Sequence, residues 1–289
     1  MPQTLSSLIT VAISIVLTVG LAWLLDAGAA VLFGVALLPA LAVVALGLQW
    51  LAFVPAYAKQ TEHYYDLTGS ATYLLVTWTA LLAGGAGERA VLVTALVTLW
   101  ALRLGSFLFR RVKRDGKDGR FDEIKTDAGR FLVAWTLQGV WVFVTLAAAL
   151  VAITDADATT LDAWALVGAA LWLVGFGFEA IADAQKSRFK AAPANRGRYI
   201  TTGLWAWSRH PNYFGEILLW VGVAVIALPA LDGWQWAALV SPLFVTLLLT
   251  RISGVPMLEE RSDARWGEEA AYRDYKARTP VLVPRPPRR

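Results

Sequence analysis

Cysteine is absent from this 289-residue chain, and histidine is scarce, with only His63 and His210 present. Without thiols there is no disulfide, no thiolate nucleophile and no sulfur-ligated metal. Two histidines are too few for an imidazole-rich metal centre. Charge is also sparse: Asp, Glu, Lys and Arg make up 17% of the residues, against 57% hydrophobic. Soluble domains carry about 25% charged residues, so a water-soluble class is excluded. Apolar–polar alternation is missing from the hydrophobic runs, which excludes a membrane β-barrel. No repeat of fixed period is present. The first apolar run lacks a basic leader and a small-residue cleavage signature, so it reads as a retained helix.

What is present is a series of continuous apolar runs near 7–25, 29–57, 70–84, 89–109, 130–153, 161–182, 213–230 and 235–250. Each approaches the length needed to cross a hydrocarbon core of about 30 Å, giving about eight helices. The expected fold is an all-α polytopic bundle without β-sheet, one integral membrane domain over 1–289. Within it, 1–57 supplies packing helices, 58–130 a substrate side with a basic loop, 175–284 a cofactor region, and 285–289 a disordered basic tail. Lys and Arg crowd 103–130, 186–209 and 251–289, which places those regions in the cytoplasm. Topogenic charge and attraction to anionic lipids account for many of these cations, and nucleic acid is not an expected partner.

Polar groups gather at four places. Glu62, His63, Tyr64, Tyr65 and Asp66 precede a short third run, whose polar first turn is expected at membrane depth. Ionisable groups there are functional candidates, although Asp66 also suits a helix start. Arg103, Ser106 and Arg110 recur at helical spacing along one face, a stripe suited to phosphates or simply to snorkelling. Residues 112–130 are expected as a turn and a short surface helix, and Gln138 as an interhelical hydrogen bond in the fifth run. Glu179 and Asp183 share a face near the end of the sixth run; they suit either ribose hydroxyls or salt bridges.

The fourth place is Trp207–Glu216, at the doorway of the seventh run. On a helix Arg209, Asn212, Tyr213 and Glu216 fall on one stripe, and Pro211 requires that a helix begin or break there. After a hairpin around Leu231–Gly233, Arg251 and the segment from Pro256 to Pro280 read as a cytoplasmic amphipathic region.

Arg209-His210-Pro211-Asn212-Tyr213-Phe214-Gly215-Glu216, followed by Glu259-Glu260-Arg261 and Tyr272-x-x-Tyr275, resembles the steroid 5-alpha-reductase family, most closely its bacterial branch long labelled a domain of unknown function. The resemblance is firm from about Glu179 to Pro284 and fainter around Tyr64–Asp66 and Arg103. It implies a helical membrane enzyme, in the inner membrane of a bacterium, that binds NADPH from the cytoplasmic side and passes hydride to an enone of a lipophilic substrate. It further implies Asn212 and Glu216 at the nicotinamide end and Asp183 near the ribose. Arg103, Arg198 and Arg261 would hold the phosphates, and Arg110, Glu179, Arg209, His210, Tyr213, Tyr272 and Tyr275 would complete the pocket.

In steroid-reducing members a glutamate and a tyrosine polarise the substrate carbonyl. Here Trp100 stands where that tyrosine is expected, and the glutamate's place falls to Glu62 or Asp66. Hydride addition to an enone needs a hydrogen-bond donor at the carbonyl oxygen and a dry site. Tyr64, Tyr65, His63 or a protonated carboxyl can serve as that donor. Isoprenylcysteine methyltransferases share part of the Arg-His-Pro pattern and bind S-adenosylmethionine instead; Asp183, Asn212 and Gly215-Glu216 favour the reductases. A third reading is a lipid- or sterol-binding membrane protein without catalysis.

Overall fold

The computed structural model describes residues 3–28, 30–116, 118–157 and 160–287, leaving out the side chains of 3 and 115. Eight segments are long and apolar enough to cross a membrane: Thr4–Leu25, Leu37–Ala58, Tyr65–Gly84, Glu88–Arg114, Ala128–Thr154, Ala163–Ala191, Pro211–Ala230 and Gly233–Trp266. The chain is an all-α integral membrane protein. It divides into two compact units, Met1–Ala165 with Ile226–Ser241, and Leu166–Val225 with Pro242–Arg289.

In the first unit α1 (Gln3–Leu25), α2 (Leu37–Ala58), α3 (Tyr65–Gly84) and α4 (Glu88–Asp115) all pack on α5 (Ala128–Thr154). A helix that is apolar on every face belongs in an interior, and Phe131, Trp135, Phe143, Leu146 and Ile153 of α5 are at most 1% exposed. Gly139 lets α2 come close: a Cβ there would lie 3.1 Å from the Leu46 Cα. Gln138 packs its amide against Gly69 of α3, where a Cβ would lie 2.7 Å from its Nε2. Its Oε1 has no hydrogen-bond partner among the described residues, so the helix contact expected of Gln138 is made by packing.

Three local expectations are corrected in this unit. A two-stranded sheet is present: β1 (Val31–Leu32) pairs antiparallel with β2 (Val35–Ala36) around Phe33 and Gly34, both at positive φ. Asp26 ties this hairpin down by accepting the N–H groups of Gly28 at 2.7 Å and Leu38 at 2.9 Å, and so α2 starts later than its apolar run. The fourth helix outruns its apolar stretch because Arg110 folds back, donating from Nε to the Ser106 carbonyl at 3.0 Å, until Gly116 at φ 82° ends it. Finally, residues 118–127 form successive turns rather than a surface helix; Asp118 binds the Arg120 N–H and guanidinium, local bonds that compete with helix formation.

In the second unit α6 (Ala163–Ala191, from Leu166 onward) lies against α7 (Pro211–Ala227) through glycines spaced seven residues apart on each helix. A Cβ on Gly215 would lie 2.5 Å from the Gly175 carbonyl oxygen, and one on Gly222 would lie 2.6 Å from that of Gly168. Small residues at such positions let helix backbones touch, which is how membrane helices gain packing without a hydrophobic drive. Further along the chain, α8 (Val240–Leu247) passes through a π-helical turn, Leu248–Ile252, into α9 (Val255–Trp266), and α10 (Ala270–Arg278) follows. The wide turn is closed by the Ser253 N–H on the Leu248 carbonyl at 2.9 Å.

Candidate functional site

The second unit gathers its polar side chains around the start of α7. Pro211 is the first residue of that helix, where its missing N–H costs nothing. The preceding residues are fixed from two sides. Trp205 Nε1 donates to the Ala182 carbonyl of α6 at 3.0 Å, and Gln185 accepts the Leu204 N–H at 2.9 Å. The buried Ser208 hydroxyl donates to the Leu282 carbonyl at 2.7 Å, and Arg209 N–H donates to the Pro280 carbonyl at 2.9 Å. The chain after α10 is therefore strapped over residues 207–209. The strap reaches Arg285, whose N–H donates to the Trp207 carbonyl at 2.9 Å, so the expected loss of order from 285 is corrected at its first residue. Residues 288 and 289 lie outside the described residues.

Glu259 of α9 is the anion at the centre of this cluster. Its Oε2 meets Arg209 Nη1 at 2.6 Å and Lys276 Nζ at 3.1 Å, and its Oε1 meets His210 Nε2 at 2.9 Å. Lys276 also reaches Asp263 at 2.6 Å, and Asp263 accepts from the Tyr272 hydroxyl at 3.1 Å. Burial pushes His210 below the ordinary imidazole value and outweighs the pull of Glu259, so the ring is neutral near pH 7. Neutral His210 donates from Nε2 to the carboxylate, which leaves Nδ1 as an acceptor. Burial works against the charge on Lys276, but the hydrogen bonds to Asp263 and Glu259 outweigh it and hold its pKa above the usual value.

On the α6 side, Asn212 Nδ2 donates to Asp183 Oδ1 at 3.2 Å, and Glu179 and Asp183 are both buried. Tyr213 stacks on His210 with ring centroids 5.6 Å apart. Beside Glu259, the buried atoms Arg209 Nε and His210 Nδ1 have no hydrogen-bond partner among the described residues. They are a donor and an acceptor set in one small region. A recess of about 340 Å³ adjoins Tyr275, lined also by Tyr199, Thr201, Arg278 and Thr279. Tyr275 donates its hydroxyl to the Trp205 carbonyl at 2.7 Å.

Of the residues expected at a cofactor, this unit holds Glu179, Asp183, Arg198, Arg209, His210, Asn212, Tyr213, Glu216, Arg261, Tyr272 and Tyr275. Asp183 and Asn212 are joined directly, while Arg209 and His210 meet through Glu259. Arg198 and Arg261 are exposed. Arg103 and Arg110 belong to the first unit, where Ser106 links them: its hydroxyl donates to the Arg103 carbonyl at 2.9 Å and its own carbonyl accepts from Arg110. Glu259 and Lys276 are central yet absent from that expected set; the Glu259-Glu260-Arg261 motif was the available signal for the first, and Lys276 had none.

In the first unit Glu62, Tyr65 and Asp66 anchor the segment 118–127, and Tyr64 packs on α4 instead. Glu62, 3% exposed, accepts the Asp118 N–H at 3.0 Å and pairs with Lys125 at 2.8 Å. Burial raises its pKa, but those two hydrogen bonds outweigh burial and hold it below the usual carboxylate value. Asp66 faces Arg111 at 3.4 Å and Arg120 at 3.6 Å. Tyr65 donates to the Ala134 carbonyl at 2.8 Å with its ring against Phe121 and Trp135, and the exposed Tyr64 lies over Phe109. Trp100, where the resemblance expects a tyrosine, is buried edge-on to Tyr73 with centroids 4.9 Å apart. Among the described residues no group of three or more His, Asp or Glu is placed to hold a metal ion.

An uncharacterised protein of Schizosaccharomyces pombe is 24% identical over 188 residues, 54% of this chain and 55% of that protein, so the chain spans about half the length of the curated relative it matches. No solved structure matches the chain. The model of a family described as a protein of unknown function, DUF1295, matches residues 52–279. That stretch runs from within α2 to the end of α10 and contains the charged residues of both clusters, and by it the chain belongs to the DUF1295 family.

Proposed function

We propose that the chain is an NADPH-dependent membrane reductase acting on the conjugated C=C bond of a lipophilic, steroid-like enone. The observation that carries this reading is the pair of buried, unpartnered atoms, Arg209 Nε and His210 Nδ1, beside the Asn212–Asp183 bond. Buried polar groups are normally satisfied, and an exception calls for a partner from outside the chain. A dinucleotide has matching groups: amide N–H and hydroxyl donors for His210, phosphate oxygens for Arg209. Asp183, Asn212 and Glu216 would hold its nicotinamide half, and the recess of Tyr199, Tyr275 and Arg278 suits its adenosine half. When bound, NADPH supplies the hydride. Membership of DUF1295 accords with the likeness of Arg209–Glu216 to steroid 5-alpha-reductases, and eight apolar helices accord with a greasy substrate. The basic residues around this cluster support a site on the cytoplasmic face of the membrane, which we take to be a bacterial inner membrane.

Glu62, Tyr65 and Asp66 each already hold a partner, so a catalytic task for any of them requires that it exchange a bond it now makes. Titration of the purified protein with NADPH and with S-adenosylmethionine tests the reading. NADPH should raise the melting temperature of the wild type, and Asn212→Ala should remove most of that rise while the protein stays folded. A rise with S-adenosylmethionine alone would overturn it in favour of methyl transfer.

A further inference from the structure

A second cavity, of about 410 Å³, opens in the first unit where the N-terminal turns of α1 and α5 run side by side. Its polar end is formed by Ser6, Ser7, Thr10 and Arg130, and its apolar side by residues of α5 that include Val133 and Leu137. Arg130, Val133 and Leu137 recur at three and seven residues and so share one face of the helix. The cavity thus grades from a cation and hydroxyls to a hydrocarbon track along α5.

Two observations mark the polar end as built for a ligand. Ser7 is 8% exposed, lines the cavity, and makes no hydrogen bond through its hydroxyl among the described residues. The half-buried Arg130 guanidinium has no carboxylate partner among them, and the Asp127 side chain is taken up by the Arg130 backbone N–H. Gly129 makes room for the serine, since a Cβ there would lie 3.0 Å from Ser7 Oγ. Packing alone asks for a small residue at position 7; it leaves the hydroxyl without a task.

We infer that this cavity binds the headgroup of an anionic glycerophospholipid. The phosphodiester takes the Arg130 guanidinium and the Ser6 and Ser7 hydroxyls, and an acyl chain lies along Val133 and Leu137. Both helices begin at the end of the unit that carries Lys125 and Arg130, the level at which headgroups sit. Arginine matches a phosphodiester in geometry and charge. Leu137 is 46% exposed, an ordinary exposure for a side chain that lipid covers.

The full-length protein, stripped of lipid in mild detergent, tests the inference by melting temperature and by lipid retained in native mass spectrometry. Phosphatidylglycerol should raise the melting temperature and remain bound, and phosphatidylcholine should do neither. Arg130→Gln should retain about fivefold less phosphatidylglycerol, the factor that corresponds to about 1 kcal/mol per cation at an anionic surface. Leu137→Trp keeps the charge and blocks the acyl track, and it should lose the effect as well. Equal responses to the two lipids, or undiminished retention in both variants, would overturn the proposal. A rise with inorganic phosphate alone as large as that with phosphatidylglycerol would overturn the lipid as occupant.

Discussion

His210 and Glu259 stand 49 residues apart in the chain and 2.9 Å apart in space, Nε2 to Oε1. Arg209 and Lys276 meet the same carboxylate. Removing the anion therefore leaves a partly buried guanidinium, an ammonium and an imidazole N–H to find new partners together.

Glu259→Ala should destabilise the protein by about 2–3 kcal/mol, the range for a charged hydrogen-bond partner lost from a partly buried site. Glu259→Gln keeps an acceptor and should cost about half as much. Denaturant unfolding in detergent measures both, and equal, negligible losses would show the cluster to be solvated.

The pH dependence follows from His210. Its folded pKa lies below the ordinary value of 6.5, so between the two values the unfolded chain binds more protons than the folded one. Stability is then fully present above pH 6.5 and declines as pH falls toward the depressed value. The melting temperature of the wild type should drop across that window, and His210→Gln should flatten the slope there even though its absolute stability is lower.

Gly215→Ala puts a methyl group 2.5 Å from the Glu179 nitrogen and the Gly175 oxygen. Because both are backbone atoms, neither can turn aside. Overpacking of this kind costs about 1–3 kcal/mol, and on the proposed function the NADPH-induced rise in melting temperature should shrink with it as Asn212 is carried away from Asp183. Gly177→Ala is the control on the facing helix α6, with nothing within 4 Å of the added carbon, and should behave as wild type.

Glu62→Gln should release the segment 118–127 and leave the proposed NADPH binding in place. Loss of the Lys125 partner at a carboxylate only 1% exposed should cost about 1–3 kcal/mol. Limited proteolysis should then cut that segment faster. An unchanged cleavage rate with loss of the proposed reductase activity would instead give Glu62 a chemical task.

The membrane helices were legible because hydrocarbon demands unbroken apolar length, and Pro211 marked a helix start because its ring cannot lie elsewhere in a helix without losing a bond. The hairpin at Val31–Ala36 was hidden, since valine and leucine serve a strand and a membrane helix equally and only the backbone at Phe33 and Gly34 separates them. The extension of α4 was hidden as well: Arg110 looks like the end of an apolar run, yet its fold-back onto Ser106 prolongs the helix. In the site, the helix that carries Asn212, Tyr213 and Glu216 was visible from spacing, although Arg209 lies before its first turn and not on the stripe. Its counterpart was not, because Glu259 and Lys276 lie on separate helices and no periodicity links them to His210. The same holds for Glu62, whose partner Lys125 lies 63 residues on.

The glycines at 168, 175, 215 and 222 set α6 and α7 backbone to backbone. Side chains in a contact can trade rotamers and let two helices slip by fractions of an ångström; carbonyls and amides pressed together have no such play. The pair behaves as one girder, with Asp183 and Asn212 mounted at its end. Variation among relatives that changes what this protein accepts is therefore expected in the parts around the girder, where side chains still separate one element from the next.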